Sequence, residues 1–237
     1  MDIEKILPNG GPSINEVKKY IDKYSNEIIV IKCGGSVLVD QNLFKQFIED
    51  ISAINKLNLS AIVIHGGGKN IIKKLDKLNI ESKFIDGLRV TDEKTIKVVE
   101  EVLLKLNYDI INNLNNHQCN AKSVTPKNNN VIKITPEKKE LGFVGFPIEI
   151  NKDKLLNIIQ EKKVPILVPM GMGDDGKVYN INADIAAGAV AKKLNSRRLL
   201  LMTDVEGVLG KDKNLISNIN SSVAKQMLKE GTISGGM

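Results

Sequence analysis

Ile28-Ile29-Val30-Ile31-Lys32-Cys33-Gly34-Gly35-Ser36 is the stretch whose reading decides the fold. A short run so rich in β-branched residues reads as a buried strand. Lys32 stands where the strand stops, and Gly34 and Gly35 let the backbone turn sharply and present its N–H groups. Phe44, Phe47, Ile48, Ile51 and Ile54 then recur at helical spacing. Strand, glycine turn and helix in that order can hold an anion on backbone amides, and a lysine beside them adds a mobile positive charge. Many α/β proteins carry glycines after a first strand, so this unit alone points only to anion handling.

The unit occurs a second time. Ala61–His65 reads as a strand, Gly66-Gly67-Gly68 as its turn, and Ile71, Ile72, Leu75 and Leu78 as the apolar face of the next helix. Both turns fall at strand C-termini, the edge at which open parallel sheets bind ligands. The alternation continues with a helix over Asp153–Lys163, a strand over Val164–Val168 and glycines at 171 and 173. Asp174-Asp175-Gly176 turns the chain into a strand over Val178–Ile181. Asn180-Ile181-Asn182-Ala183-Asp184 opens a helix of small residues, Ala186, Ala187, Gly188, Ala189 and Ala191. There Asp184 suits the positive helix end with or without a further role. Leu199–Met202 is a last strand and Ser222–Lys229 a last helix. This order predicts an α/β fold with a largely parallel sheet. Neither GxxxxGK[ST] nor GxGxxG is present, so neither a P-loop nor a dinucleotide-binding fingerprint is supported.

Three segments lie outside the alternation. Ser13–Tyr24 is an amphipathic helix with a capping box from Ser13 and Glu16. Asp86-Gly87-Leu88-Arg89-Val90-Thr91-Asp92 precedes a long helix, which Thr91 is expected to cap. Arg89 is expected on that loop, either forking to a carboxylate or forming an ordinary surface ion pair. Lys122–Gly145 reads as a β-rich excursion, with strands Val131–Ile134 and Leu141–Gly145 around a charged turn. Such a hairpin either covers a substrate or is an edge flap.

The chain of 237 residues suffices for one large domain or two lobes. No apolar run reaches the roughly 18 residues that cross a bilayer, and Met1–Gly11 lacks the apolar core of a secretory signal. Cys33 and Cys119 outline no disulfide framework, which suits a reducing cytoplasm. The balance of 34 basic against 28 acidic residues gives a net charge of +6. Lysines are scattered and aromatics few, so neither a nucleic-acid surface nor a membrane partner is expected; the charge still favours anionic ligands. The two histidines, His65 and His117, make no zinc site with two distant cysteines. His65 is expected to be hydrogen-bonded locally at its strand end.

Five pieces now stand in order: Lys32-Cys33-Gly34-Gly35, His65-Gly66-Gly67-Gly68, Gly87-Leu88-Arg89-Val90-Thr91, Asn180-Ile181-Asn182-Ala183-Asp184 and Thr203-Asp204-Val205-Glu206-Gly207-Val208. Together they closely resemble the acetylglutamate-phosphorylating branch of the amino acid kinase family, from about Ser13 to the last residue. The resemblance implies a three-layer αβα sandwich with a mainly parallel central sheet. It divides the chain into an N-terminal helical extension (1–26), an acetylglutamate-binding lobe (27–172) and an ATP-binding lobe (173–237). The implied reaction is ATP-dependent phosphorylation of the side-chain carboxylate of N-acetyl-L-glutamate, the second step of arginine synthesis. Lys32 would neutralise the transferred phosphoryl group, and Asp184 would orient the catalytic lysines by ion pairing. Gly67 and Gly68 would donate to the substrate carboxylate, and Arg89 and Asn180 would hold the α-carboxylate. Gly34 and Gly35 would donate to the ATP phosphates. Thr203, Asp204, Val205, Gly207 and Leu209 would lie on the adenine-nucleotide side. No protein carboxylate set is expected to hold Mg²⁺, which the phosphates would carry.

Three departures accompany the resemblance. Cys33 and Ser36 stand where the family often has tyrosine or leucine, and asparagine. The family continues beyond Gly236-Met237 with an Ile-Pro-Lys-like segment that bears a second catalytic lysine, so the fold is expected to be C-terminally incomplete. The Ser13–Tyr24 helix resembles one that interlaces dimers into hexamers in arginine-inhibited relatives, so a homodimer is expected, with a hexamer as the further option. Two other readings are a non-catalytic ligand-binding member and a sister kinase acting on aspartate, glutamate, carbamate or UMP. The Gly-Leu-Arg-Val-Thr and Asn-Ile-Asn-Ala-Asp pieces weigh against the sister kinase.

Overall fold

A computed structural model describes residues 3–7, 10–203 and 205–233. Helix α1 (Ile14–Tyr24) begins on the expected capping box: Ser13 Oγ accepts from the Glu16 amide, and the Glu16 carboxylate accepts from the Ser13 amide. Strand β1 (Ile28–Cys33), helix α2 (Gln41–Lys56), strand β2 (Ser60–His65) and helix α3 (Gly68–Lys77) then form the two glycine-turn units. After a small hairpin, β3 (Phe84–Ile85) and β4 (Leu88–Arg89), come the long helix α4 (Glu93–Asn116) and strand β5 (Ala121–Val124). The chain continues through β6 (Ile132–Pro136), β7 (Gly145–Ile150), α5 (Lys152–Gln160), β8 (Val164–Leu167), β9 (Met170–Met172) and β10 (Val178–Asn180). It closes with α6 (Ala183–Lys193), β11 (Arg198–Met202) and α7 (Ser221–Lys229).

The main sheet has five strands in the order β11-β1-β2-β8-β5, all parallel. Strand alternation sends side chains to two separate cores. Ile29, Ile31, Cys33, Ala61, Val63 and Ile166 pack with Phe47, Ile48 and Ile51 of α2 and Ile110 and Leu114 of α4. Val30, Ile62, Ile64 and Leu167 pack on the opposite face with Leu155 and Ile158 of α5 and Ala186, Ala187 and Val190 of α6. Helices thus cover both faces of a parallel sheet, the three-layer arrangement expected. The small residues of α6 let its backbone approach the sheet closely.

A second sheet, β10-β9-β6-β7, was not foreseen. The expected hairpin of Val131–Ile134 with Leu141–Gly145 is replaced by β6 pairing antiparallel with β7. Gly142 has φ 69, a left-handed conformation that interrupts any strand through 141–145. That segment instead straps neighbouring elements together, by bridges Thr91↔Gly142 and Val144↔Asn180. Lys122, placed by the sequence in the same excursion, lies in β5 at the edge of the main sheet.

The start of α4 also differs from expectation. Asp92, not Thr91, is the N-cap, its carboxylate accepting from the amides of Lys94 and Thr95. Thr91 is fully buried and its hydroxyl donates to the Arg89 carbonyl at 2.8 Å. A residue held by the strap and the preceding strand cannot also turn its side chain onto the helix end.

Candidate active site

The C-terminal ends of β1 and β2 lie side by side, with Lys32 opposite Ile64 and Cys33 opposite His65. Their two glycine turns meet there. The Gly66 amide donates to the Cys33 carbonyl at 2.8 Å. A Cβ placed on Gly35 would come within 3.5 Å of the Lys69 amide nitrogen, so the first turn touches the N-terminus of α3. Helix α3 starts on Gly67 without a side-chain cap and with no acidic residue in its first turn. Its positive dipole end therefore suits an anion. Among the described residues, the amides of Gly67 and Gly68 donate to no other backbone group.

A cavity of about 230 Å³ opens at this edge. Lys32, Gly35, Gly67, Gly68, Arg89, Asn180 and Asp184 all line it, so seven of the site residues expected from the sequence come together in one place. Period-two alternation places Lys32 on the same face as Val30, which is the face covered by α6. There Lys32 Nζ lies 3.0 Å from Asp184 Oδ1, with side chains 13% and 28% exposed. Asp184 stands in the first turn of α6, and Asn182 caps that helix by accepting from the amides of Asp184 and Ile185. The cap leaves the Asp184 carboxylate free of capping duty and turned to the lysine.

Arg89 corrects the sequence reading most. It is 7% exposed, on β4 rather than on a loop. Asp86 and Gly87 form a two-residue turn with φ 51 and 78, and Phe84 pairs with Arg89 across the hairpin. The guanidinium stacks on the Phe84 ring at 4.6 Å and donates to Ser82 Oγ at 2.9 Å and to the Gly68 carbonyl at 3.3 Å. Burial lowers its pKa from the ordinary guanidinium value, yet arginine remains charged in proteins. Ser82 and Phe84 were missed by the sequence reading, as was the capping role of Asn182. Asp-Gly between short apolar runs is a hairpin signal that would have exposed the first two.

The nucleotide-side residues are distributed differently. The Gly34 amide, expected to donate to a phosphate, instead donates to the Met202 carbonyl at 3.1 Å, continuing the β1–β11 ladder. Thr203, Val205, Gly207 and Leu209 follow β11 and do not border the cavity. Asp204 lies outside the described residues. Among the described residues the cavity therefore brings together two cations, one carboxylate paired to one of them, and the glycines of both turns: a site for an acidic ligand.

A divalent metal fits this site only with ligands brought from elsewhere. Among the described residues no group of three or more His, Cys, Asp or Glu side chains could hold a metal ion. Asp184, among the described residues the only carboxylate lining the cavity, is engaged by Lys32. Mg²⁺ typically keeps waters and is held by one or two carboxylates plus substrate phosphates, so a nucleotide would supply most of its ligands.

Among the described residues no helix is long and apolar enough to cross a membrane. Comparison with known proteins agrees with the geometry. Residues 27–237 match the amino acid kinase family. The chain is 51% identical over 236 residues to the acetylglutamate kinase of Pelagibacter ubique, covering 100% of this chain and 82% of that one. It is 40% identical over 220 residues to the acetylglutamate kinase of Campylobacter fetus, covering 92% and 79%. The crystal structure of smu.665 from Streptococcus mutans superposes with a TM-score of 0.81 at 29% identity, covering 89% of this chain and 85% of that one. The chain belongs to the amino acid kinase family, and within it to the acetylglutamate kinases.

Proposed function

We propose that the cavity binds N-acetyl-L-glutamate and that the protein phosphorylates its side-chain carboxylate with ATP, giving N-acetyl-L-glutamyl 5-phosphate for arginine biosynthesis. The observation that carries this reading is the convergence of Lys32, Arg89 and the α3 amides on one cavity at the sheet's C-terminal edge. Arg89, held by Phe84 and Ser82, offers a preset fork to the α-carboxylate, with Asn180 beside it. Gly67 and Gly68 offer backbone donors to the reacting carboxylate.

A carboxylate is ionised and nucleophilic at neutral pH, so no general base is required. The protein must align two anions and stabilise charge that spreads over the transferred group. Lys32 supplies a cation there, and its ion pair with Asp184 fixes where that cation sits. When bound with the nucleotide, Mg²⁺ would screen charge on the phosphates. In this reading residues 27–172 supply most of the acyl-substrate side and 173–237 the nucleotide side, with Gly35, Thr203, Val205, Gly207 and Leu209 toward ATP. The expected assembly is a cytoplasmic homodimer, with α1 as the added contact if hexamers form.

Trapping the product with hydroxylamine tests the reaction. A hydroxamate that requires both ATP and acetylglutamate is the expected result; its absence with both present refutes the reading.

A further inference from the structure

His65 is completely buried, at the last position of β2 and just before the glycine turn. Its Nδ1 lies 3.0 Å from the Gly66 carbonyl oxygen, and its Nε2 lies 3.3 Å from Asn107 Nδ2 on α4. A carbonyl only accepts, so Nδ1 carries the proton and Nε2 is the acceptor. Asn107 is fixed in turn: its Nδ2 also donates to the Ile166 carbonyl at 2.9 Å, and its Oδ1 accepts from Ser123 Oγ at 2.6 Å. Ser123, Asn107, His65 and Gly66 thus form one chain of hydrogen bonds with a single direction. It ties β5, α4 and β8 to the turn.

We propose that His65 is a positioning residue that aims the Gly67 amide at the substrate; this rests on the acetylglutamate reading. The Gly66–Gly67 peptide is planar and trans, so the Gly67 N–H points opposite to the Gly66 carbonyl. His65 draws that carbonyl inward, toward α4, and the Gly67 N–H is turned the other way. The Gly66 amide is already pinned on Cys33, so both ends of this glycine are held. Burial lowers the His65 pKa to about 4, which keeps the ring neutral and its single donor in place at ordinary pH.

The test compares His65→Asn with His65→Gln in the full chain. An Asn amide nitrogen can take the place of Nδ1 and keep the donor to Gly66; a Gln nitrogen reaches the place of Nε2 instead. The Gln variant is expected to raise the acetylglutamate KM about tenfold with the ATP KM unmoved, and the Asn variant to stay within about threefold. Equal losses in both variants, or a Gln variant with the parent's acetylglutamate KM, overturn the assignment, because a residue that only fills space would treat the two alike. If melting curves show that the Gln variant does not fold, Ser123→Ala decides. A severalfold rise confined to the acetylglutamate KM supports the proposal, and an unchanged value overturns it. A parent protein that forms no hydroxamate overturns the kinase reading, and this assignment with it.

Discussion

Lys32 Nζ and Asp184 Oδ1 lie 3.0 Å apart, joining the end of β1 to the first turn of α6. The pair is half-sheltered, and each charge holds the other on the wall of the cavity. Lys32→Ala is expected to lower kcat by about a hundredfold or more while changing the acetylglutamate KM far less. If Asp184 acts only through the lysine, the double variant Lys32→Ala with Asp184→Ala loses little beyond Lys32→Ala alone. Initial rates of hydroxamate formation measure both effects; fully additive losses would separate the two residues.

Arg89 presents a fork braced by a ring and a hydroxyl. Arg89→Lys keeps the charge but loses the planar donor pair and the stacking on Phe84. The acetylglutamate KM is expected to rise about tenfold or more, with the ATP KM nearly unchanged. Phe84→Ala should shift the same parameter in the same direction and by less. Steady-state titration of each substrate separately checks both variants.

Gly34 and Gly68 should differ in how much stability a methyl group costs. A Cβ on Gly34 would sit 2.8 Å from the Met202 carbonyl oxygen, a backbone atom in the neighbouring strand that cannot swing aside. Gly34→Ala is expected to cost about 1–3 kcal/mol, lowering Tm by about 2–4 °C for each kcal/mol. At Gly68 a Cβ meets nothing within 4 Å, so Gly68→Ala should melt close to the parent whatever it does to binding. Thermal unfolding followed by circular dichroism distinguishes them.

The buried His65 makes the fold acid-sensitive. Its folded pKa is about 4 against an ordinary value of 6.5, so between those values the unfolded chain binds a proton that the folded chain refuses. Stability therefore falls as pH drops from about 6.5 and levels off below about 4, a contribution of about 3 kcal/mol in full. Denaturant melts across this range should show that slope for the parent. His65→Asn should remove it while leaving the carboxylate-driven loss at lower pH.

Asp92 closes α4. Asp92→Ala removes the acceptor for the Lys94 and Thr95 amides and is expected to cost about 1 kcal/mol. Thr91→Ser keeps the hydroxyl that donates to Arg89 and should be the milder change in the same melting assay.

By itself the sequence determined the central strands, the two glycine turns and the helices between them. Those features are local: β-branched runs bury on a sheet, glycines turn it, and apolar residues at helical spacing face it. Lys32 was legible as a cation at a strand end, and five short pieces in order indicated the family. Tertiary structure alone decided what the local code leaves open. Asp184 suits a helix N-terminus whether or not a lysine faces it, and only the packing of α6 on the Val30 face of the sheet makes the pair. Arg89 reads as a loop residue until the Asp86-Gly87 turn folds it back onto Phe84 and buries it. Gly34 resembles a phosphate donor until β11 arrives beside β1 and takes its amide. Each outcome depends on a partner distant in sequence, and such a contact is settled by how layers pack.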